Sequence, residues 1–356
     1  MKVTQTDIAN RLGISRLTVS KALNNENGVS ERTKQAVIET AIEMRYIKIG
    51  KMHLDSFGTD LQNSSGNQLI ANKQITLFLI LGLDSDSYWA PVIRGMTTIL
   101  SEYGYQLNLC FLTATDGDYF EFPPNFKPKE TEGIIQFGNF SKKQMDQLMA
   151  TNLPLVSIDK TMYEDGKLFC DTVMCTNKTP TIKMVKHLFD SGYRKIGYAR
   201  DGHTQLTMNE RWLGYLQGME EVGLKVDPSW CFSGGFDEII AKIEDEKRLE
   251  NFANFPDAIM CCNDMQAISF LQYFNKQQIK IPEMVALTGH DNIRESEVAG
   301  LTTIHVDKEE LGKSAAELIL WRIRNPERPY RMVRMYDYEL IFRDTSKIIV
   351  MQNEKE

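Results

Sequence analysis

Residues 4 to 24, TQTDIANRLGISRLTVSKALN, constrain this chain more than any other stretch. Thr4 suits the cap of a short helix that carries Ile8, Ala9 and Leu12 on one face. Gly13 stops that helix, because glycine enters the left-handed region without steric penalty. Ser15 then caps a second helix whose inner face is Val19, Ala22 and Leu23. Two short helices joined by a brief turn containing glycine make a helix-turn-helix. Arg16, Leu17, Ser20 and Lys21 share the face opposite that core. Arg and Lys pair with guanine edges, Leu meets a thymine methyl and Ser reaches a phosphate, so this face suits double-stranded DNA. Thr4, Ser15, Thr18, Asn24 and Ser30 complete the set of candidate DNA contacts. The bland alternative, a solvated basic helix in a bundle, leaves the two caps and the glycine turn unexplained.

The chain has 356 residues, which implies two or three folded units. Its net charge of −7 looks unsuited to a nucleic-acid binder until it is divided along the sequence. Residues 1 to 50 hold eight Lys/Arg against five acids, about +3, which leaves about −10 for the remainder. A basic reader on an acidic body fits that asymmetry. Met1-Lys2 runs into a capped helix rather than an apolar leader, and Ile75 to Leu83 is the longest apolar run. The expectation is a cytoplasmic protein, nucleoid-associated through DNA, with no membrane partner. The six cysteines lack CxxC spacing and read as reduced core residues, with no metal and no cofactor expected.

Ser30 opens a third helix with Ala36, Val37, Thr40, Ala41 and Met44 on its apolar face, closing on Tyr46. The runs VTQTDIANRLGISRLTVSKALNN and VSERTKQAVIETAIEMRY resemble the head of LacI/GalR-type bacterial transcriptional regulators. The resemblance implies a DNA-binding head at 1–48, a hinge, and a two-lobed core like a periplasmic sugar-binding protein. Here the linker, residues 49–73, departs from the family pattern. It carries Gly50, Gly58, Gly66, Asp55 and Asp60, and offers only Leu54 as a candidate minor-groove wedge. Little bending of the operator is the expectation.

From Ile75 onward apolar strands alternate with amphipathic helices, including ITLFLILG, QLNLCFL, GIIQFG, LPLVSID, KIGYARD, AIMCCND and VALTGHD. Continuous apolar strands with crossover helices predict an α/β fold of doubly wound parallel sheets. Helices are expected over Ala90–Tyr103, Glu210–Val222 and Leu311–Arg324, among others. SGYRKIGYARD, ERWLGYLQGM, PDAIMCCNDMQA, VALTGHDNIRES and LTTIHVDKEELGKSAAELIL match the family core in order. The core is expected at 74–346, with a first lobe of about 74–176 and 303–333. The second lobe takes about 177–302 and 334–346, and 347–356 forms a tail.

Ligands in such folds bind where strand carboxyl ends meet a crevice. Asp159, Asn263, Asp264 and Asp291 end apolar strands, and each suits either a ligand hydroxyl or a helix cap. Asp264, which precedes a helix, is read as the cap. The resemblance assigns Asp159, Asn263 and Asp291 to the effector. It also assigns Arg211, read here at a helix start, where a cation opposes the macrodipole unless it faces an acceptor. Thr207, Tyr88, Trp89 and Phe236 join the candidates, the aromatics with partial core as their alternative. No phosphate-loop, dinucleotide, zinc-protease or serine-nucleophile motif occurs, which excludes the common enzyme classes that such motifs mark. His290 beside Asp291 is read as lining the cleft.

The expected function is therefore a homodimeric repressor of a carbohydrate operon, responding to a small molecule, most simply a sugar. Alternatives are a nucleobase, nucleoside or phosphoprotein effector on the same fold, or a sugar-binding protein with no DNA role. If Arg16 reads a base, Arg16→Ala weakens cognate binding by about 1–3 kcal/mol and relaxes one base position. Quantitative gel shifts on a base-substituted operator series measure this. Equal weakening on every sequence would make Arg16 a phosphate contact.

Overall fold

The computed structural model describes residues 4–23, 28–30, 33–34, 36–37, 40, 73–80, 86–112, 119–138, 140–159, 168–200, 206–250 and 252–346. The chain forms two units, Met1–Ala71 and Asn72–Glu356. Asn24, Leu54, the linker before Lys73 and the tail 347–356 lie outside the described residues.

In the first unit, α1 (Gln5–Leu12) and α2 (Arg16–Leu23) pack through Ile8, Ala9, Val19 and Ala22, joined by Val37 of a third helical segment. Gly13 takes φ 64°, and the Ile14 N–H reaches back to the Ala9 carbonyl at 3.1 Å. This left-handed closure satisfies a carbonyl that α1 would leave open.

The second unit contains β1 (Gln74–Ile80), α3 (Asp86–Glu102), β2 (Gln106–Leu112), β3 (Thr131–Phe137), α4 (Lys142–Met149), β4 (Leu155–Ile158) and β5 (Asp171–Cys175). Next come α5 (Lys178–Asp190), β6 (Ile196–Arg200), α6 (Leu206–Glu221), β7 (Cys231–Ser233), α7 (Phe236–Asp245), β8 (Ala258–Cys261), α8 (Asp264–Lys276) and β9 (Ala286–Thr288). The chain ends with α9 (Arg294–Val298), β10 (Thr303–His305), α10 (Lys308–Arg324), β11 (Met332–Met335) and β12 (Glu339–Ile341). One lobe holds a six-stranded parallel sheet, ordered β11-β5-β4-β3-β1-β2. The other holds a four-stranded parallel sheet, β7-β6-β8-β9, and the antiparallel pair β10-β12.

The strand β10 belongs with the second lobe, through β12 and the bridges Thr288–Thr302 and Asp291–His305. The sequence pattern places residues from about 303 in the first lobe. The structure moves that crossing to about Val306, which packs in the first-lobe core. β5, β11 and α9 were also not foreseen, being short and weakly periodic.

β1 is buried on both faces, as its continuous apolar run requires. Ile75, Leu77 and Leu79 face α3 and α10, while Phe78 and Ile80 face a second layer with Phe120, Phe126 and Phe140. The described residues of the insert before β3 are free of helix, as read from the sequence. Phe126 covers Phe78 edge-on at 4.9 Å. Arg322, near the end of α10, is buried and pairs with buried Asp171. Its guanidinium also holds the carbonyls of Asn325, Pro326, Arg328 and Pro329, at 2.7 to 3.1 Å. That web fixes the turn from α10 into β11.

α3 and α10 touch backbone to backbone. A Cβ at Gly312 would lie 2.0 Å from the Val92 carbonyl, and one at Gly95 the same distance from the Glu309 carbonyl. No side chain rearrangement relieves a clash with a helical carbonyl. Gly312→Ala should therefore lower stability by about 1–3 kcal/mol or more, measured by urea denaturation. An unchanged midpoint would show that the helices separate without cost.

Candidate functional site

Two sets of candidate residues occupy the two units. In the first, Leu17 is 66% exposed although Val19 and Ala22 on the same helix are buried. Arg16 beside it is exposed, and Ser20 and Lys21 are half-buried. The hydroxyl residues are held in capping turns. The Thr4 N–H and Oγ1 both donate to Asp7 Oδ2, at 2.8 and 2.7 Å. Ser15 Oγ accepts the Thr18 N–H at 3.0 Å, and Ser30 Oγ accepts the Thr33 N–H at 3.2 Å. These bonds start the helices and hold α2 with its outer face clear of the core.

In the second unit the site builds outward from Arg211, buried on α6 between the lobes. Its Nε donates to Asn177 Oδ1 at 3.0 Å, and its two terminal nitrogens donate to the Cys262 carbonyl at 2.5 Å and Asp291 Oδ1 at 2.9 Å. Burial opposes the charge most strongly, but Asp291 together with Tyr88, Tyr198 and Cys262 outweighs it and raises the guanidinium's proton affinity. Asp291 takes φ 114°, so its side chain leaves the end of β9 towards Arg211 while its N–H stays bonded to Ile304 at 2.8 Å. Lys308, at the start of α10, donates to the Asp291 and Asn292 carbonyls.

Asp159 faces this group from the first lobe. It takes φ 59° at the end of β4, and its N–H is held by the Val173 carbonyl at 2.9 Å. Tyr88 donates to its Oδ2 at 3.3 Å, and Thr207 on α6 donates to its main-chain carbonyl at 3.2 Å. Its Oδ1 is shielded from solvent and has no hydrogen-bond partner among the described residues. Burial raises this carboxyl to about 6, against the pull of Arg211 and with a further push from Asp291. Burial and the same two carboxylates raise the Tyr88 phenol well above its usual range, so it stays a donor.

Residues 4–48 match the family described as bacterial regulatory proteins, lacI family, and residues 185–346 match a periplasmic binding protein-like domain. The HTH-type transcriptional repressor PurR of Photobacterium profundum is 25% identical over 348 residues, 97% of this chain and 98% of its own length. The PurR repressor of Pasteurella multocida is 26% identical over 353 residues, 97% and 98% of the two chains. The chain carries a LacI-family DNA-binding domain and a periplasmic-binding-protein-like domain, the make-up of a DNA-binding regulator. Among solved structures, the transcriptional regulator CelR–cellobiose complex shares the fold with a TM-score of 0.63 at 18% identity, covering 97% of this chain and all of that one. The lac repressor dimer bound to operator and the anti-inducer ONPF gives 0.61 at 15% identity, covering 98% and 100%. The curated relatives are repressors rather than enzymes. Among the described residues, no helix is long and apolar enough to cross a membrane.

The regulator's remaining candidates divide. Tyr88 and Trp89 belong to the first turn of α3 rather than to a loop, and Trp89 packs edge-on against Phe137 at 4.0 Å. Arg211 stands within α6, not at its start, because that helix begins at Leu206. Buried acceptors, rather than the macrodipole, explain its placement. Asn263 is the N-cap of α8, its Oδ1 accepting the Gln266 N–H at 2.8 Å. The cap read for Asp264 thus falls one residue earlier. Asp264 is wholly buried and braces the chain after β9, accepting from the Ile293 N–H at 3.0 Å and Thr303 Oγ1 at 2.5 Å. Phe236 packs edge-on against Phe270, 5.4 Å away, as second-lobe core. Asn177 and Lys308 were not foreseen, since neither ends a strongly apolar strand. His290 is buried, its Nε2 without a hydrogen-bond partner among the described residues, and burial beside Arg211 and Lys308 holds it well below its usual range, a neutral ring.

Asp159 supplies a pH test. Its folded value of about 6 exceeds its ordinary 3.8, so the stability it contributes is full below about pH 4 and lost as pH rises through 6. Asp159→Asn should therefore melt higher than wild type at pH 7 to 8, with the difference vanishing near pH 4. Thermal melts across that range measure it. A gap independent of pH would place the carboxyl in water.

Proposed function

We propose that this regulator is a homodimeric, cytoplasmic repressor of a carbohydrate-utilisation operon, released or tightened by a neutral sugar held between the lobes. Two heads reading a pseudo-palindrome follow from the helix-turn-helix. The observation that carries the ligand assignment is the unpartnered, shielded Oδ1 of Asp159, opposite Arg211 and Asp291. A carboxylate there accepts from a hydroxyl donor, while Arg211 has its charge balanced by Asp291 and bonds Asn177 and the Cys262 carbonyl as well, which disfavours an anionic ligand. Tyr88, whose hydroxyl donates to Asp159 Oδ2, places an aromatic ring beside it. A solved neighbour, CelR, is described with cellobiose, which supports the sugar class. A nucleobase is the second reading, favoured by the Tyr88–Trp89 ring pair at 5.6 Å. By linkage, a ligand changes operator affinity only through unequal affinity for two lobe arrangements.

Thermal-shift screening against sugars and nucleosides identifies the class, since a ligand of the folded state raises the melting point. Asp159→Asn should then lose about 1.5–3 kcal/mol of ligand affinity while keeping operator binding. Asp291 is a poorer probe, because its loss leaves Arg211 buried without its counter-ion, at a cost of about 3–5 kcal/mol. Undiminished ligand response in Asp159→Asn would remove the cleft from consideration.

A further inference from the structure

The strand-start end of the six-stranded sheet carries a row of exposed cations unrelated to the cleft. Lys73 precedes β1, Lys127 and Lys129 precede β3, Arg324 ends α10, and Arg328 and Arg331 lie between α10 and β11. All six are exposed, on a chain whose net charge is −7. Among the described residues, the exposed or half-exposed acids Glu102, Glu130, Glu132 and Glu327 share the end. Two of them are engaged: Lys73 approaches Glu132 at 4.0 Å and Lys127 approaches Glu130 at 3.5 Å. The arginine turn is the strongest part, with three exposed guanidinium groups against Glu327 alone.

That turn is rigid. Buried Arg322 pins four of its carbonyls, Asp171 accepts the Arg331 N–H at 2.7 Å, and the Arg331 guanidinium stacks on Trp321 at 3.6 Å. Arg324 lies over Tyr103 at 5.6 Å, and Lys73 over Tyr105 at 5.4 Å. Four strand spacings separate β11 from β1, so the row spans about 19 Å, the reach of several phosphates along a duplex. The chain leaving the DNA-reading head enters the sheet at this same end, through Lys73 and β1.

We infer that this end of the first lobe is a second DNA surface, taking backbone phosphates of the duplex beside the site that the heads read. The inference rests on the DNA-binding reading of the head. A fixed arginine row gives affinity without sequence preference, because phosphates are the same at every step.

The test uses the full chain on a random-sequence duplex of about 40 bp, with affinity followed against salt by fluorescence anisotropy. Arg324→Ala/Arg328→Ala/Arg331→Ala should flatten the log–log salt slope by about 2 to 3 per protomer. The matching triple Arg→Lys variant should restore it, since charge alone is required. Arg328→Glu gives the same direction with a single exposed change, should the triple alanine variant fold poorly. Equal slopes for wild type and both alanine and glutamate variants would overturn the inference and assign the row to another partner, such as an acidic protein. A lysine variant as weak as the alanine one would overturn it too, as a structural effect. Loss of all DNA binding in Arg16→Ala/Lys21→Ala with the row intact tests the head separately.

Discussion

A guanidinium that is cut off from water must be met by acceptors on every side, and Arg211 imposes that condition on the core. Its partners come from three separate parts of the second lobe and crossover: Asn177 after β5, Cys262 after β8 and Asp291 after β9. Each lies at the carboxyl end of a strand, so one side chain ties strand ends that the sheet alone leaves splayed. The left-handed backbone at Asp291 is tolerated because its carboxylate then completes the ring of acceptors. The protein holds the cation by matched geometry rather than by solvent.

Among the described residues, polar contacts join the first lobe to this assembly: Thr207 to the Asp159 carbonyl, Lys308 to the Asp291 and Asn292 carbonyls, Ser87 to Glu295, and Arg334 to Glu210. These are polar and individually modest, unlike the apolar packing inside each lobe. An interface of that kind can be exchanged for another with little net change in free energy. This is what a switch between two lobe arrangements requires.

Much of this was legible in the chain. The alternation of apolar runs and amphipathic helices gave the parallel sheets, because a strand buried on both faces has nowhere to put a polar residue. Gly13, Ser15 and the outward Leu17 marked the head. Legibility ended where geometry depends on distant chain. Asn263 and Asp264 are adjacent polar residues before one helix, and only the fold decides that the first caps it while the second anchors Thr303. Asn177 and Lys308 reach the site through crossovers whose direction no local pattern encodes. β5, with sequence DTVMC, is too short to show a period, yet it carries the Asp171 that binds Arg322 from 151 residues away.

The close seat of Gly95 against α10 has a consequence for synthesis. α3 is made early, but the helix it needs as a partner ends at Arg324. The second lobe is no more independent, since β12 pairs with β10 and Thr345 bonds the Leu287 carbonyl at 2.7 Å. Until α10 and Thr345 have left the ribosome, neither half can close its apolar layer. The nascent chain therefore waits with the faces of Val92 and Met96 uncovered, a state in which proteases and holding chaperones compete with folding.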